Sequence, residues 1–314
     1  MTTAPLGGRG GAGRGGSIYD LGYRGYEGPR LGRRAAVGAL LINTLRTAYG
    51  LGRNARSKIV PVGLVLLAIL PSLLAIGFLV LFAQFAPALE ASEAIEALQP
   101  IKYATMFPFT APLVFFFCAA QAPELFGRDQ LTGVLPLYFS RAISRNDYAV
   151  ARLLGLFVAL LVLALSPQVI LLVGRVLVAD DLGSGIGEEL SAVPAILVSG
   201  LVVAGVVGSI SAAIAALTPR RAYATVAIMA MFLIPNVFSS VIVSLDADLL
   251  GQVAALLSPA DVLDGVNAYL FDTQPENVTA RRAGVDYFVY MLAAAAWIVG
   301  SVAVLLLRYR RLAT

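Results

Sequence analysis

Residues 191–217 decide the fold class, and they read SAVPAILVSGLVVAGVVGSISAAIAAL, without one charged side chain. A membrane hydrocarbon core about 30 Å thick is crossed by roughly 20 apolar residues of helix, so this stretch is long enough to span it. Five more uncharged runs of similar length occur along the chain, at about 60–86, 103–123, 153–174, 223–244 and 287–307. Because lipid offers no partner to exposed backbone amides, each run is predicted to be a transmembrane helix.

The composition agrees with an all-α integral membrane protein and excludes several chemistries. Apolar residues make up 59% of the 314 positions and charged residues 13%, whereas soluble proteins have roughly 45–50% and about 25%. Cys118 is the single cysteine, which excludes a disulfide framework. There is no histidine, which excludes most metal centres and most catalytic triads. No P-loop motif occurs either. The sequence therefore predicts no bound cofactor and no metal in this chain, and no enzymatic activity of its own.

The basic residues predict how the six spans are oriented. Of the 23 lysines and arginines, 19 fall in the leader, the second and fourth connections and the tail. The other connections hold only four, together with 14 of the 19 carboxylates. Because cytoplasmic connections of membrane proteins are enriched in lysine and arginine, both termini are predicted to be cytoplasmic. This distribution also favours membrane lipid, and not nucleic acid, as the partner of the positive charge.

Three regions follow one another along the chain. Residues 1–34 form a Gly/Arg-rich leader that is predicted to be disordered and cytoplasmic. Residues 35–59 have apolar positions at helical spacing and basic residues at the end, which predicts an amphipathic helix in the membrane interface. A soluble helix packed on a partner is the alternative. Residues 60–314 form the six-helix domain.

The longest connection on the predicted outer side, residues 245–286, contains two short apolar pieces. Both pieces, near 249–257 and 262–271, are too short to cross a membrane. Ser258 precedes the second piece, with proline next and a carboxylate three residues later, which is typical of a helix start. We expect a pair of short re-entrant or surface helices before the last span.

Small residues and missing charges inside the spans indicate how the helices pack and work. In the fourth span a small residue recurs at every fourth position, which lets a neighbouring helix approach closely, either within the chain or in a second copy: Gly200, Ala204, Gly208, Ala212 and Ala216. No charged residue lies in the middle of any span. Because ion-coupled carriers usually keep such residues as a relay, an ion-driven carrier or channel is the less favoured alternative.

The connection between spans two and three, residues 123–148, reads PELFGRDQLTGVLPLYFSRAISRNDY. It is longer than a tight helix–helix link, and it mixes charges with apolar and aromatic side chains. This composition predicts a docking surface, with an anchor in the membrane interface as the alternative.

The order of certain residues in this connection and at the start of the third span resembles the permease subunits of ABC-2 type exporters: Asp129, Gly133, Leu135, the pair Ser140-Arg141, Arg145 and Arg152. Two positions depart from that pattern, since Ala142 stands where proline is usual and Arg152 where lysine is common. The leader segment 19–30, YDLGYRGYEGPR, also looks like those of actinobacterial members.

The resemblance implies a permease that moves a substrate across the bacterial cytoplasmic membrane. It implies a second permease copy, as homodimer or close homologue, and two ABC ATPase subunits that hold ATP and Mg²⁺. The residues that it implies for coupling to the ATPase are Glu124, Phe126, Arg128, Asp129, Leu131, Gly133, Arg141 and Arg145. The residues that it implies for the dimer face or translocation path, on spans two and five, are Phe115, Phe116, Phe117, Met229, Phe232, Asn236 and Ser240. A membrane-embedded enzyme or a non-transporting anchor is a further alternative.

Overall fold

The computed structural model describes Gly28 and residues 31–85, 102–140, 143–179, 182–245 and 248–311. Six of its helices are long and apolar enough to cross a membrane, which confirms the number of spans predicted from the uncharged runs. Most of the leader 1–34, including nearly all of the segment 19–30, lies outside the described residues, and so do Arg141 and Ala142.

Twelve helices make up the described part of the chain. In chain order the helices are α1 (Gly32–Ala48), α2 (Ala55–Phe85), α3 (Ala104–Leu131), α4 (Leu135–Phe139), α5 (Arg145–Val178), α6 (Leu182–Leu190), α7 (Val193–Leu217), α8 (Arg221–Ser244), α9 (Asp248–Leu257), α10 (Pro259–Leu270), α11 (Val278–Ala283) and α12 (Tyr287–Arg311). The spans are α2, α3, α5, α7, α8 and α12.

Helix α7 lies at the centre of the bundle and packs against α3, α5, α8, α10 and α12. All five members of its small-residue row are buried. A Cβ atom at Gly208 would lie 3.0 Å from Leu160 Cδ1, and one at Gly200 would overlap the Leu165 side chain. Because both leucines belong to α5, the small residues allow α5 and α7 of the same chain to approach closely.

Helix α1 packs along the first half of α5 and is shorter than the predicted 35–59. It ends at Ala48, because Gly50 and Gly52 adopt left-handed φ angles of 64° and 81°. Residues 55–59 already belong to α2. A Cβ at Gly155 of α5 would lie 2.6 Å from the Thr44 Cβ, so this glycine is what lets α1 lie so close.

Span two extends beyond its predicted end near residue 123. Residues Pro123–Gly127 form a single π-helical turn, after which the helix continues to Leu131. The helix ends after Leu131 because Gly133, two residues further on, adopts a φ of 66°. The Val134 N–H donates to the Asp129 carbonyl at 3.2 Å and the Gly133 N–H to the Gln130 carbonyl at 3.3 Å, the two bonds of a Schellman cap. The connection proper is therefore residues 132–144, with α4 inside it.

Helices α9 and α10 are the predicted short pair, and they meet at an angle of 96°. The Ser258 side chain accepts from the Asp261 N–H at 3.3 Å, which confirms the predicted helix start. The tip of the pair reaches well along the last span, because the Trp297 Nε1–H donates to the Leu256 carbonyl at 3.2 Å. The pair is thus inserted among α7, α8 and α12, and does not lie on the end of the bundle.

Candidate functional site

The inner end of α3 is tied to α5 through Asp129, Tyr148 and Arg152. The Tyr148 hydroxyl donates to Asp129 Oδ2 at 2.6 Å, and Arg152 Nη2 forms an ion pair with the same oxygen. Arg152 Nε also donates to the Tyr148 hydroxyl at 3.2 Å, and its Nη1 to Thr44 Oγ1 of α1 at 3.4 Å. The Arg152 side chain is only 5% exposed and that of Asp129 15%. One buried arginine therefore joins three segments: α1, the end of α3 and the start of α5.

The same end is tied to the last span and to α7. Gln130 Nε2 donates to the Ala216 carbonyl at 3.2 Å and lies 3.4 Å from the Tyr309 hydroxyl. The Tyr309 ring packs on the Tyr148 ring, with centroids 5.4 Å apart. Tyr138 of α4 packs on the other side of Tyr148, at 5.3 Å. Movement of residues 128–139 is thereby connected to α5, α7 and α12 at once.

Glu124 holds a second group of charges at this end. Its Oε1 accepts from Arg53 at 3.0 Å and from Arg128 at 2.9 Å, and Arg221 lies 3.8 Å from its other oxygen. The arginine side chains are between 37% and 66% exposed. Pairs this exposed contribute about 0–1 kcal/mol each to stability, so they orient the arginines more than they hold the fold.

The outward face of this connection is partly apolar. Leu131 is 68% exposed and Leu137 is 67% exposed, and Arg128 points outward beside them. We call this surface, formed by Arg128, Leu131, Thr132, Pro136 and Leu137, the connection face. Exposed leucines over a firmly anchored inner side suit both alternatives predicted for this segment, a docking surface and an anchor in the membrane interface.

The predicted coupling residues divide between the two sides of this segment. Arg128 and Leu131 lie on the connection face, and Gly133 ends α3 next to it. Phe126, also among the predicted coupling residues, is fully buried and packs inside the chain, so its side chain is not exposed to a docked partner. Asp129, another predicted coupling residue, forms its ion pair within the chain, with Arg152. The pair is separated by 23 residues, so no local spacing signalled it.

Arg145 begins α5 and donates to the Arg310 carbonyl at 3.0 Å, which links the start of α5 to the end of α12. Its helix has a full capping box, in which the Ser144 hydroxyl and the Asp147 carboxylate each accept from the other residue's N–H. Arg33 of α1 adds a bidentate pair to Asp147, with both distances 2.7 Å. Arg141 lies outside the described residues.

The predicted residues of the dimer face do not share one surface. Phe115 stacks on Phe232 with centroids 4.4 Å apart, and both are buried between α3 and α8. Phe117 is fully buried, whereas Phe116 is 52% exposed. Consecutive residues of a helix point about 100° apart, so three adjacent phenylalanines cannot face one partner. Met229 is half-buried, and Ser240 is exposed.

Asn236 forms its bond within the chain and not across an interface. Its Nδ2 donates to Asp261 Oδ1 at 2.9 Å, and Ser239 of the same helix donates to Oδ2. Asn277 Nδ2 adds a third donor at 2.6 Å, and Asp261 is fully buried. A carboxylate from α10 thus lies against the C-terminal half of span five. The uncharged runs missed it because it is carried by the inserted pair and not by a span.

Asp264, one turn further along α10, is 4% exposed. Its Oδ2 accepts from the Asn277 N–H at 2.9 Å. The pKa of Asp264 is raised to about 6, mainly by burial, and the charges of Glu276 and Asp261 act in the same direction. The backbone hydrogen bonds from Asn277 and Glu276 act in the opposite direction and lower the pKa. The segment 276–277 therefore closes over a carboxyl group that titrates near neutral pH.

Within the described ranges, no three Asp, Glu or Cys side chains form a group that could hold a metal ion. No family model matches the chain, and no curated protein matches its sequence. Fold and site together define a multi-pass helical membrane protein, with an anchored basic end and a buried carboxylate near its other end.

Proposed function

We propose that this chain is the transmembrane subunit of an ATP-driven exporter, and that the connection face docks on a separate ABC ATPase subunit. The observation that carries the proposal is the buried Asp129–Arg152–Tyr148 network beneath exposed Leu131 and Leu137. An ATPase subunit can move the spans only through a segment that is rigidly joined to them. The resemblance of this segment, which includes Asp129 and Arg152, to ABC-2 type permeases supports this assignment.

In this proposal, movement of the docked ATPase is transmitted along three connections. Arg152 carries it from the end of α3 into α5 and, through Thr44, into α1. Gln130 carries it to the Ala216 carbonyl of α7. ATP and Mg²⁺ are bound by the ATPase subunits, two copies per complex, and this chain supplies the path across the membrane.

The proposed second permease copy packs on the outward face of α8. This face is strongly apolar and open in the single chain, with Val226, Val237 and Phe238 each more than 60% exposed. The same apolar face would also suit contact with lipid. Crosslinking between two copies through Val237→Cys is therefore the test. A disulfide-linked dimer in native membranes supports the proposal, and its absence with cysteines along the whole face contradicts it.

The orientation that belongs to this proposal puts the connection face and both termini in the cytoplasm of a bacterium. Leu137 and Leu249 are both exposed and lie at opposite ends of the bundle, while Cys118 is fully buried. On a Cys118→Ser background, an impermeant thiol reagent added outside the cell should label Leu249→Cys and not Leu137→Cys. The reverse pattern would overturn the orientation.

The docking experiment compares leucines of equal exposure at the two ends. Leu131→Ala and Leu137→Ala truncate the connection face, whereas Leu245→Ala, at 72% exposure, is a matched control at the opposite end. An apolar anchor in an interface is worth about 2 kcal/mol or more, so the first two variants should retain the ATPase at least about tenfold less well in co-purification. Equal recovery with all three variants would contradict the proposal.

A second candidate function is ion-coupled transport, and it is favoured by Asp261. This carboxylate is fully buried beside Asn236 and Ser239, and buried ionisable residues at membrane depth are relay candidates. The purified chain in ATPase-free vesicles would then move protons or sodium ions, and Asp261→Asn would abolish the flux. Absence of flux in the unaltered chain would exclude this function.

A further inference from the structure

An apolar groove of about 530 Å³ lies between α7, α8 and α12, and the exporter proposal makes no use of it. Ile214 and Leu217 line it from α7, Met231 lines it from α8 and Trp297 from α12. Leu257, at the tip of α9, closes the end nearer the inserted pair. The Trp297 N–H already donates to a backbone carbonyl, so it offers no hydrogen bond to an occupant.

The other end of the groove leads to a basic rim. Gly300 and Val304 line the groove four residues apart, and Arg308 is the next position in the same row of α12. Arg308 Nε donates to the Ala216 carbonyl at 3.3 Å, which places the guanidinium beside Leu217 at the end of the groove. Arg221, 66% exposed, starts the neighbouring helix four residues after Leu217.

The positive charge of this rim is largely uncompensated. Among the described residues no carboxylate forms an ion pair with Arg308. The nearest carboxylate to Arg221 is Glu124 at 3.8 Å, which is already held more closely by Arg53 and Arg128. The rim therefore presents the Arg308 guanidinium to an anion, with Arg221 exposed four residues beyond Leu217, while the groove itself is lined by apolar side chains and the Ser301 hydroxyl.

We infer that the groove binds one acyl chain of an anionic phospholipid, whose phosphate lies at Arg308 and Arg221. The groove opens between helices that cross the hydrocarbon core, where the surrounding medium is lipid chain and not water. Basic residues at the end of an intramembrane pocket attract anionic headgroups. The inference is independent of the exporter proposal, and under the proposed orientation the lipid belongs to the cytoplasmic leaflet.

The chain supplies its own probe, because Trp297 is its only tryptophan and it lines the groove. The full chain is reconstituted in phosphatidylcholine vesicles with a small, equal mole fraction of either brominated phosphatidylglycerol or brominated phosphatidylcholine. Bromine in contact with an indole quenches its fluorescence. The brominated phosphatidylglycerol should quench Trp297 at a markedly lower mole fraction than the brominated phosphatidylcholine.

Two arginine substitutions test the headgroup. Arg308→Gln and Arg221→Gln should each weaken the phosphatidylglycerol preference by about fivefold, the factor that corresponds to about 1 kcal/mol per basic residue. Arg56→Gln is the matched control, because Arg56 is exposed at the same end but starts α2. An undiminished preference in the Arg308→Gln and Arg221→Gln variants would overturn the assignment of the headgroup site.

A glycine substitution tests the chain site. A Cβ at Gly300 meets no atom within 4 Å, so Gly300→Leu fills the groove without a clash. A Cβ at Gly63 of α2 is equally unobstructed, which makes Gly63→Leu the control. Gly300→Leu should remove the selective quenching and Gly63→Leu should keep it. Equal quenching by both lipids would overturn the inference, and so would quenching by neither, the result expected if a second copy covers the groove.

Discussion

Replacing Asp129 by leucine is expected to destabilise the folded chain strongly, although the residue lies in the last turn of α3 and not in the middle of a span. The substitution leaves the Arg152 guanidinium charged, 5% exposed and without its carboxylate. It also removes the acceptor of the Tyr148 hydroxyl. Breaking a buried ion pair from one side costs about 3–5 kcal/mol, and we expect a value in the upper part of that range because both donors lose their acceptor.

The reverse substitution, Arg152→Met, should cost less. Asp129 is 15% exposed and keeps its bond from Tyr148, so about 3 kcal/mol is expected. The double variant Asp129→Leu/Arg152→Met removes both charges together, and replacing a buried pair by apolar residues is often nearly neutral. The loss of unfolding free energy in the double variant should therefore be smaller than the sum of the two single losses, by a coupling free energy of about 3 kcal/mol or more.

The assay is SDS-induced unfolding of the purified full chain in mixed micelles, followed by the fluorescence of the sole tryptophan, Trp297. Asp129→Asn is a useful intermediate, because the amide oxygen still accepts from Tyr148 while the charge is lost. A decrease in the free energy of unfolding of less than about 1 kcal/mol in each single variant would refute the buried network. Additive decreases in the double variant would refute it as well.

Three further predictions concern other contacts. Gly155→Val should cost about 1–3 kcal/mol in the same SDS assay, because its Cβ would lie 2.6 Å from the Thr44 Cβ; an unchanged midpoint would contradict the close packing of α1. Asn236→Leu removes a donor from buried Asp261 and should cost about 1–3 kcal/mol, whereas a neutral result would show that the bond does not form. The pKa of Asp264 is raised to about 6 from a usual value of 3.8, so between pH 3.8 and about 6 this carboxyl keeps its proton in the folded chain and loses it in the unfolded chain. Stability should then fall as pH rises from about 4 to 6, and Asp264→Asn should flatten that profile; an equally steep profile in the variant would contradict the shift.

The parts of the fold that could be predicted from the sequence are those governed by local patterns. Uncharged runs gave the six spans because only continuous apolar helices satisfy the backbone in lipid. Ser258 marked a helix start because a cap is determined by three neighbouring residues. Both signals are contained in a short window of sequence, so no knowledge of tertiary contacts was needed.

The parts that could not be predicted depend on residues far apart in the chain. Nothing in the segment around Asp129 indicates that its partner is Arg152, and a charge in a cytoplasmic connection is equally well suited to a partner protein. Asp261 was predicted only as part of a helix start, and its burial against span five was not, because a search for charges inside spans does not examine helices too short to be spans. The burial of Phe126 was not predicted either, because the continuation of α3 through a π-helical turn has no strong sequence signature.

A photo-crosslinking amino acid at Leu131, used in the native cell, tests most directly whether the connection face docks an ATPase. Leu131 is 68% exposed, and Leu245, 72% exposed at the opposite end of the bundle, is the control position. The predicted result is a protein adduct at Leu131 whose peptides contain a P-loop, with no such adduct at Leu245. Adducts at Leu131 to lipid alone, or to a protein without an ATP-binding motif, would contradict the proposed function.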